Sequence, residues 1–329
     1  MTLGVISNPF SRTNARTRLN DRLLPRFVPD HNNAIDTRTV DDLDQALRTL
    51  LFDRGVNVLG LNGGDGTLHV TVNRLAALSR EVQATTGRPL PMPPLLFLNG
   101  GTLNIVARAS GTKGNPLRTL RRFARFIEDG ACLGDLPIRS LPVLSVTPQG
   151  QESRFGFVFG SEIVANALEM YTMFGEGYAG LGRFMVELLG GYTLHTRLWQ
   201  EHGWKLDAPT TSIRVDGVTW PRYLAVVAST IDLSILKGTV TAIRVPQGTG
   251  FVAKVVLETH PGRAIRLIPR LMFEQEDPRV HTMADPDEFE IAGGYTLDGE
   301  VFLDRSPSAQ RRLISVRRAD FEVPAIALA

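Results

Sequence analysis

The sequence predicts two domains, an α/β domain built on a parallel sheet and, after it, an antiparallel β domain. Three observations carry this. Up to about residue 134, short apolar runs alternate with helical patterns in β-α-β-α order, the arrangement that builds a parallel sheet with helices packed against it. Two of those runs end in a Gly-Gly loop, Gly63-Gly64 and Gly100-Gly101, and a helix pattern follows each. Beyond Leu133 the texture changes to short β-rich runs punctuated by Pro and Gly. With 329 residues, 43% of them hydrophobic, the chain is long enough to bury more than one core. The expected division is 1–134, then 135–304 with a helical insert at about 161–197, then a segment 305–329. Whether that last segment returns to the first domain is open.

Composition narrows the function classes. A net charge of +2 is no concentrated basic footprint, so no nucleic-acid partner is expected. The single cysteine, Cys132, excludes a disulfide framework within the chain and fits a reducing compartment; it reads as a small buried apolar residue. Residues 1–10 lack a basic stretch leading into an apolar one, and no apolar run approaches the ~20 residues of a membrane span. The expectation is a cytoplasmic protein, at most peripheral at the membrane.

Leu3 to Ile6 is a strand stopped by the turn formers Asn8 and Pro9, with Ser11 beyond. That turn reads either as a plain turn or as a phosphate-facing loop, which Arg12 and Arg16 could assist. Thr39 is placed to cap the next helix, with acidic residues in its first turn and Leu43, Ala46, Leu47 and Leu50 on its buried face. Strand Val56–Leu61 follows. It runs into Asn62-Gly63-Gly64-Asp65-Gly66-Thr67, from which a helix with Leu68, Val72, Leu75 and Ala76 inward departs. Residues 85–94 read as a Pro-rich loop. Strand Leu95–Leu98 ends in Asn99-Gly100-Gly101-Thr102-Leu103-Asn104. A helix from Pro116 to Glu128 sets Arg118, Arg121, Arg122 and Arg125 on one face, either solvated or weakly drawn to an anionic membrane.

In the second domain, strands are expected at 140–146, 154–159, 212–215, 223–229, 239–245 and 251–257. The insert carries Met170, Tyr171, Met173, Phe174, Phe184, Met185, Leu188 and Leu189, as a packed helical hairpin or as the wall of an apolar cleft. The Gly175–Gly180 match to G-x-G-x-x-G follows a helical pattern rather than a strand and is set aside. Asp298-Gly299 reads as a hairpin turn. Leu313–Val316 and Phe321–Ile326 read as two short closing strands.

The chemistry centres on the first Gly-rich loop. Glycines let backbone N–H groups approach phosphate oxygens, and a helix N-terminus favours negative charge. A carboxylate beside phosphates makes sense when it holds Mg²⁺, which keeps several waters and shares its shell with phosphates. Asp65 is that carboxylate. The pattern therefore points to ATP held by its phosphates, with transfer to an acceptor hydroxyl.

Taken in order, Asn8-Pro9-x-Ser11, Thr39, Gly63-Gly64-Asp65-Gly66-Thr67-Leu68, Gly101-Thr102-x-Asn104 with Ala107-Arg108, and Asp298-Gly299-Glu300 resemble the diacylglycerol kinase catalytic-domain superfamily, with its bacterial lipid kinases and sphingosine kinases. The resemblance implies an α/β ATP domain like those of NAD kinase and phosphofructokinase, a β-sandwich domain, and a cleft between them that takes a lipid alcohol such as diacylglycerol. It implies ATP contacts from Asn8, Ser11, Thr39, Asn62, Gly63, Gly64, Asp65, Gly66, Thr67, Gly101, Thr102 and Asn104. It also implies Mg²⁺ at Asp65 and Glu300, and catalysis by Asp65 with Asp298 and Glu300, the general base being either of the last two. A transient membrane contact follows from the substrate, and a homodimer through an edge strand of the first domain is compatible with the sequence.

The sequence departs from the family pattern in three places. His69-Val70 stands where Asn-Glu is usual, Ile105 where Asp is frequent, and Pro246-Gln247-Gly248-Thr249-Gly250 where a Pro-x-Ala…Asp-Gly segment is expected. These keep open a catalytically impaired lipid- or nucleotide-binding regulator. NAD kinase-like activity is a further alternative, since that family shares the Gly-Gly-Asp-Gly loop.

Overall fold

A computed structural model of the chain describes all residues except 12–13, 16–23, 29, 102–103, 113, 176, 210, 236–239, 274, 304–305, 307–311 and 329. Arg12, Arg16 and Thr102 thus lie outside the described residues. The chain forms two compact units, Met1–Leu141 with Phe321–Ala329, and Pro142–Asp320. The division falls at Leu141 rather than at 134, and the closing residues 321–329 belong with the first unit.

The first unit is a parallel sheet in the order β2-β1-β3-β4-β18. Its strands are β1 (Leu3–Ser7), β2 (Ala34–Asp36), β3 (Val58–Asn62), β4 (Leu95–Phe97) and the end of β18 (Leu313–Ile326). Pairing is parallel throughout, with Val5 opposite Gly60, Gly60 opposite Leu96 and Leu95 opposite Ala325. Leu3, Val5, Val58, Leu96 and Leu98 meet Leu120, Phe123 and Ile326 in one core. At about 1.5–3 kcal/mol for each large side chain taken from water, such a core is what holds the unit together.

The helices begin and stop where local chemistry dictates. Helix α1 (Val40–Arg48) starts in a capping box: Thr39 Oγ1 accepts from Asp42 N–H, and the Asp42 carboxylate accepts from Thr39 N–H. Helix α2 (Asp65–Thr86) buries Leu68, Val72, Leu75 and Ala76 as their spacing requires. It takes in Thr85 and Thr86, whose hydroxyls donate back to the Val82 carbonyl, so the following loop begins only at Gly87, left-handed at φ 74°. Helix α3 (Ile105–Ala109) is short. Helix α4 (Pro116–Glu128) has Asn115 as cap and Pro116 as its first residue, and turns Leu120 and Phe123 into the core. Cys132 is exposed, not buried: it sits in the turn after α4, where only Leu136 reaches the core.

The second unit holds two facing sheets. One is antiparallel, in the order β14-β13-β10-β7-β16-β17. Its strands are β7 (Val158–Ser161), β10 (Ala225–Ser229), β13 (Val252–Val256), β14 (Val280–Ala284), β16 (Tyr295–Leu297) and β17 (Glu300–Phe302). The other combines β5 (Ile138–Pro148), β6 (Arg154–Gly156), β8 (Ile213–Val215), β9 (Val218–Trp220) and β15 (Glu288–Ala292) with the first half of β18. Their inner faces share one core, including Phe159 edge-on to Phe289 at 5.5 Å.

Three strand expectations change. The run 154–159 is not one strand but two, β6 in one sheet and β7 in the other, because the chain changes sheet at Phe157. The two closing strands are one, β18, which pairs antiparallel with β15 early and parallel with β4 at Ala325. Of the run expected at 239–245, residues 240–243 form β12 (Val240–Ile243), which among the described residues pairs with β11 (Leu233–Ile235) in a two-stranded ribbon.

The insert is helical, as α5 (Glu162–Thr172), α6 (Gly177–Leu194) and α7 (Arg197–His202). Met170, Phe184 and Leu188 pack with Leu206 into a small core of their own, joined by Tyr171, Phe174 and Met185, so most of the insert's apolar residues serve helix packing. Met173, Val186, Leu189 and Leu194 remain exposed.

Candidate functional site

The carboxyl ends of β1, β3 and β4 carry three loops, at Asn8–Ser11, Gly63–Gly64 and Asn99–Asn104, and polar side chains lace them together. Asn8 N–H donates to the Asn62 carbonyl at 2.9 Å, and Asn8 Nδ2 donates to Thr67 Oγ1 at 3.0 Å. Ser11 Oγ donates to the Gly100 carbonyl at 3.0 Å. Asn62 is fully buried and donates through Nδ2 to Ser7 Oγ at 2.8 Å. Asn104, left-handed at φ 47°, accepts from Gly101 N–H at 3.0 Å and donates to the Gly101 carbonyl at 2.9 Å.

Most of the side chains that the sequence suggested for nucleotide contact are therefore spent on holding loops. Thr39 belongs with them, as the cap of α1. The sequence reading missed Asn14, which is fully buried and donates to the carbonyls of both Asn8 and Asn62, at 2.9 and 3.1 Å. An Asn among Arg and Thr residues looks like a solvated one, so nothing in its neighbourhood marks it.

The glycines are required where they stand. A Cβ on Gly101 would lie 2.3 Å from Gly64 Cα, and one on Gly63 would lie 2.5 Å from the Thr67 side chain. The two Gly-Gly loops thus touch backbone to backbone. A cavity of about 10 Å³ beneath them, lined by Gly63, Gly64, Asp65 and Asn104 among others, has room for about one water and none for a phosphate.

What the arrangement offers an anion is the start of α2. Its N-cap is Gly64, which has no side chain to cap with, whereas Thr39 and Asn115 cap α1 and α4. The first turn of a helix leaves N–H groups without intrahelical partners, and the helix dipole adds positive potential there. The residues fit a phosphate chain approached by backbone from the outer side of the loops. Gly63, Gly64, Gly66 and Thr67 would hold it.

Asp65 lies half-buried in the first turn of α2, and its two oxygens accept from Ile105 N–H (3.1 Å) and Val106 N–H (3.2 Å) at the head of α3. It caps one helix from the start of another, so it locks the second Gly-Gly loop to the first. One carboxylate with waters and phosphate oxygens is a set that Mg²⁺ uses, and Asp65 would be the residue here to hold it. Among the described residues no three His, Cys, Asp or Glu side chains gather as a metal-ligand group.

In the second unit Asp298 and Gly299 form the two-residue turn between β16 and β17, both left-handed at φ 54° and 91°. The hairpin reading of this pair is correct. The Asp298 side chain does more than turn the chain: Oδ1 accepts from Phe157 N–H at 2.8 Å and Val158 N–H at 2.9 Å, where the backbone changes sheet. Its Oδ2 occupies the space that a Cβ on Gly156 would need, 2.6 Å away. Glu300, two residues on, is exposed at the head of β17.

Comparison with known proteins agrees with this geometry. Residues 2–130 match the family model of the diacylglycerol kinase catalytic domain. Two crystal structures from Bacillus anthracis str. Sterne have the same fold. A candidate diacylglycerol kinase is 18% identical with a TM-score of 0.62, over 99% of this chain and 97% of that one. A diacylglycerol kinase is 17% identical with a TM-score of 0.57, over 99% and 96%. No curated protein matches the chain. The family match covers residues 2–130, so the likeness to a diacylglycerol kinase catalytic domain is one of the first part of the chain, while the solved structures share the fold of both units. Among the described residues no helix is long and apolar enough to cross a membrane.

Proposed function

We propose that the chain is an ATP-dependent kinase that phosphorylates the hydroxyl of a lipid alcohol such as diacylglycerol. The observation that carries this reading is the uncapped start of α2 at Gly64, set against Gly101 inside the family-matched stretch. ATP would supply the phosphoryl group there, and Mg²⁺ would neutralise its charge. Backbone N–H groups from Gly63 to Thr67 bind and orient the phosphates. Asp65 holds the cation, directly or through water, while fixing α3. Asp298, committed to two backbone N–H groups, positions the hairpin, and the exposed Glu300 takes the proton from the lipid hydroxyl. Exposed Val186, Leu189 and Leu194 on α6 support a transient contact with the bilayer that carries the substrate.

The test is transfer of labelled phosphate from ATP to a panel of lipid alcohols by purified protein. Label on a lipid supports the reading; no transfer together with no ATP binding overturns it. A second reading, a lipid- or nucleotide-binding regulator without turnover, is favoured by Val70 and Ile105 at positions where the family usually has carboxylates. Tight lipid binding with no transfer would select it.

A further inference from the structure

We propose that the cavity beside α4 is a binding site for a small oxyanion, a phosphate monoester or a carboxylate, carried on an apolar body. The cavity lies wholly within the first unit and measures about 340 Å³, within the range of small-molecule sites. Arg122, Arg125 and Asp129 supply its charge, and Phe126, Pro137 and Leu328 its apolar wall.

The decisive feature is Arg122. Its Nη1 is shut off from solvent and, among the described residues, has no hydrogen-bond partner, while the side chain lines an open cavity. A buried guanidinium N–H left unpaired is costly, so an anion in the cavity toward which the guanidinium turns would relieve that cost. The guanidinium fork suits the paired oxygens of a carboxylate or phosphate. Arg125, one turn further along, adds a second cation on the same side. The end of α4 favours a cation by its dipole, which accounts for Arg125 without a ligand but leaves Arg122 Nη1 unpartnered. Two guanidinium groups against one carboxylate leave the described lining net positive, and the apolar wall favours a ligand with a hydrocarbon portion. The proposal does not rest on the kinase reading.

The experiment is calorimetric titration of the full chain with hexyl phosphate, hexanoate and hexanol. At least one of the two anions is expected to bind, and hexanol is not. Arg122→Gln and Arg125→Gln should each weaken binding roughly tenfold, the loss of one charge-assisted contact, whereas Arg118→Gln, which does not line the cavity, should leave it unchanged. A thermal melt of each variant separates lost binding from lost fold. Flotation with phosphatidylcholine vesicles, with and without phosphatidate, assigns the source: binding to phosphatidate vesicles that Arg122→Gln abolishes indicates a lipid headgroup, and hexyl phosphate binding without vesicle binding indicates a soluble ligand. Absence of anion binding, or equal anion binding by wild type and a folded Arg122→Gln, overturns the proposal.

Discussion

At the scale of single residues, Asp65 combines two duties that its substitution separates. In Asp65→Asn the amide NH₂ must face one of the two N–H donors at the head of α3, so the fold should lose about 1–3 kcal/mol, read as a lower denaturant midpoint. The same variant should bind ATP equally with and without Mg²⁺, and Mg²⁺-dependent affinity retained in full would remove Asp65 from the cation. Asp298 and Glu300 divide differently. Asp298→Ala strands the N–H groups of Phe157 and Val158 and should destabilise by about 1–3 kcal/mol, while Glu300→Gln should melt like wild type and lose phosphoryl transfer. If Glu300→Gln keeps full transfer, it is not the base. The sequence makes the residue types of this site legible, since Gly, Asp and Thr at fixed spacing state a phosphate chemistry. It does not reveal that Asn8, Ser11, Asn62 and Asn104 tie loops to one another, because those partners lie far along the chain and meet only in the fold.

At the scale of elements, α1 and α4 were readable because each combines an amphipathic pattern with a side-chain cap at its start. Thr39→Ala tests one such signal: it should cost about 1 kcal/mol of stability and, since the hydroxyl serves the cap of α1, leave ATP affinity unchanged. Strand boundaries were less readable. Nothing between Arg154 and Phe159 announces a change of sheet, because the cause is a carboxylate at position 298. Likewise Arg317-Arg318-Ala319-Asp320 looks like a polar break, although β18 runs straight through it. An electrostatic tie secures the entry to β14. Asp277, its carboxylate buried, accepts from the side chain and backbone of Arg279 and from Arg270, which together hold it well below the usual carboxylate range. A depressed folded-state pKa gives stability that is present above about pH 4, the unfolded value, and lost as pH falls below it. Denaturation midpoints between pH 7 and pH 3 should therefore fall more steeply for wild type than for Asp277→Asn, and parallel curves would count against the tie.

At the scale of the whole molecule, the two units were legible from the change in texture near residue 133, but the sharing of β18 was not. Residues 313–317 pair in the second unit and Ala325 pairs with Leu95 in the first. Deleting residues 321–329 should leave β4 as an open edge with its apolar neighbours uncovered, and the truncated protein should form larger assemblies in sedimentation than the full chain does. The shared strand also bears on how the protein is made. A ribosome releases β1 to β4 early, but the strand that flanks β4 emerges only after the whole second unit has been translated. Until then the nascent first unit waits with an incomplete sheet, where most chains finish their leading domain first. Translation speed and chaperone access during that interval, rather than the stability of the finished fold, would then set how much active protein a cell obtains.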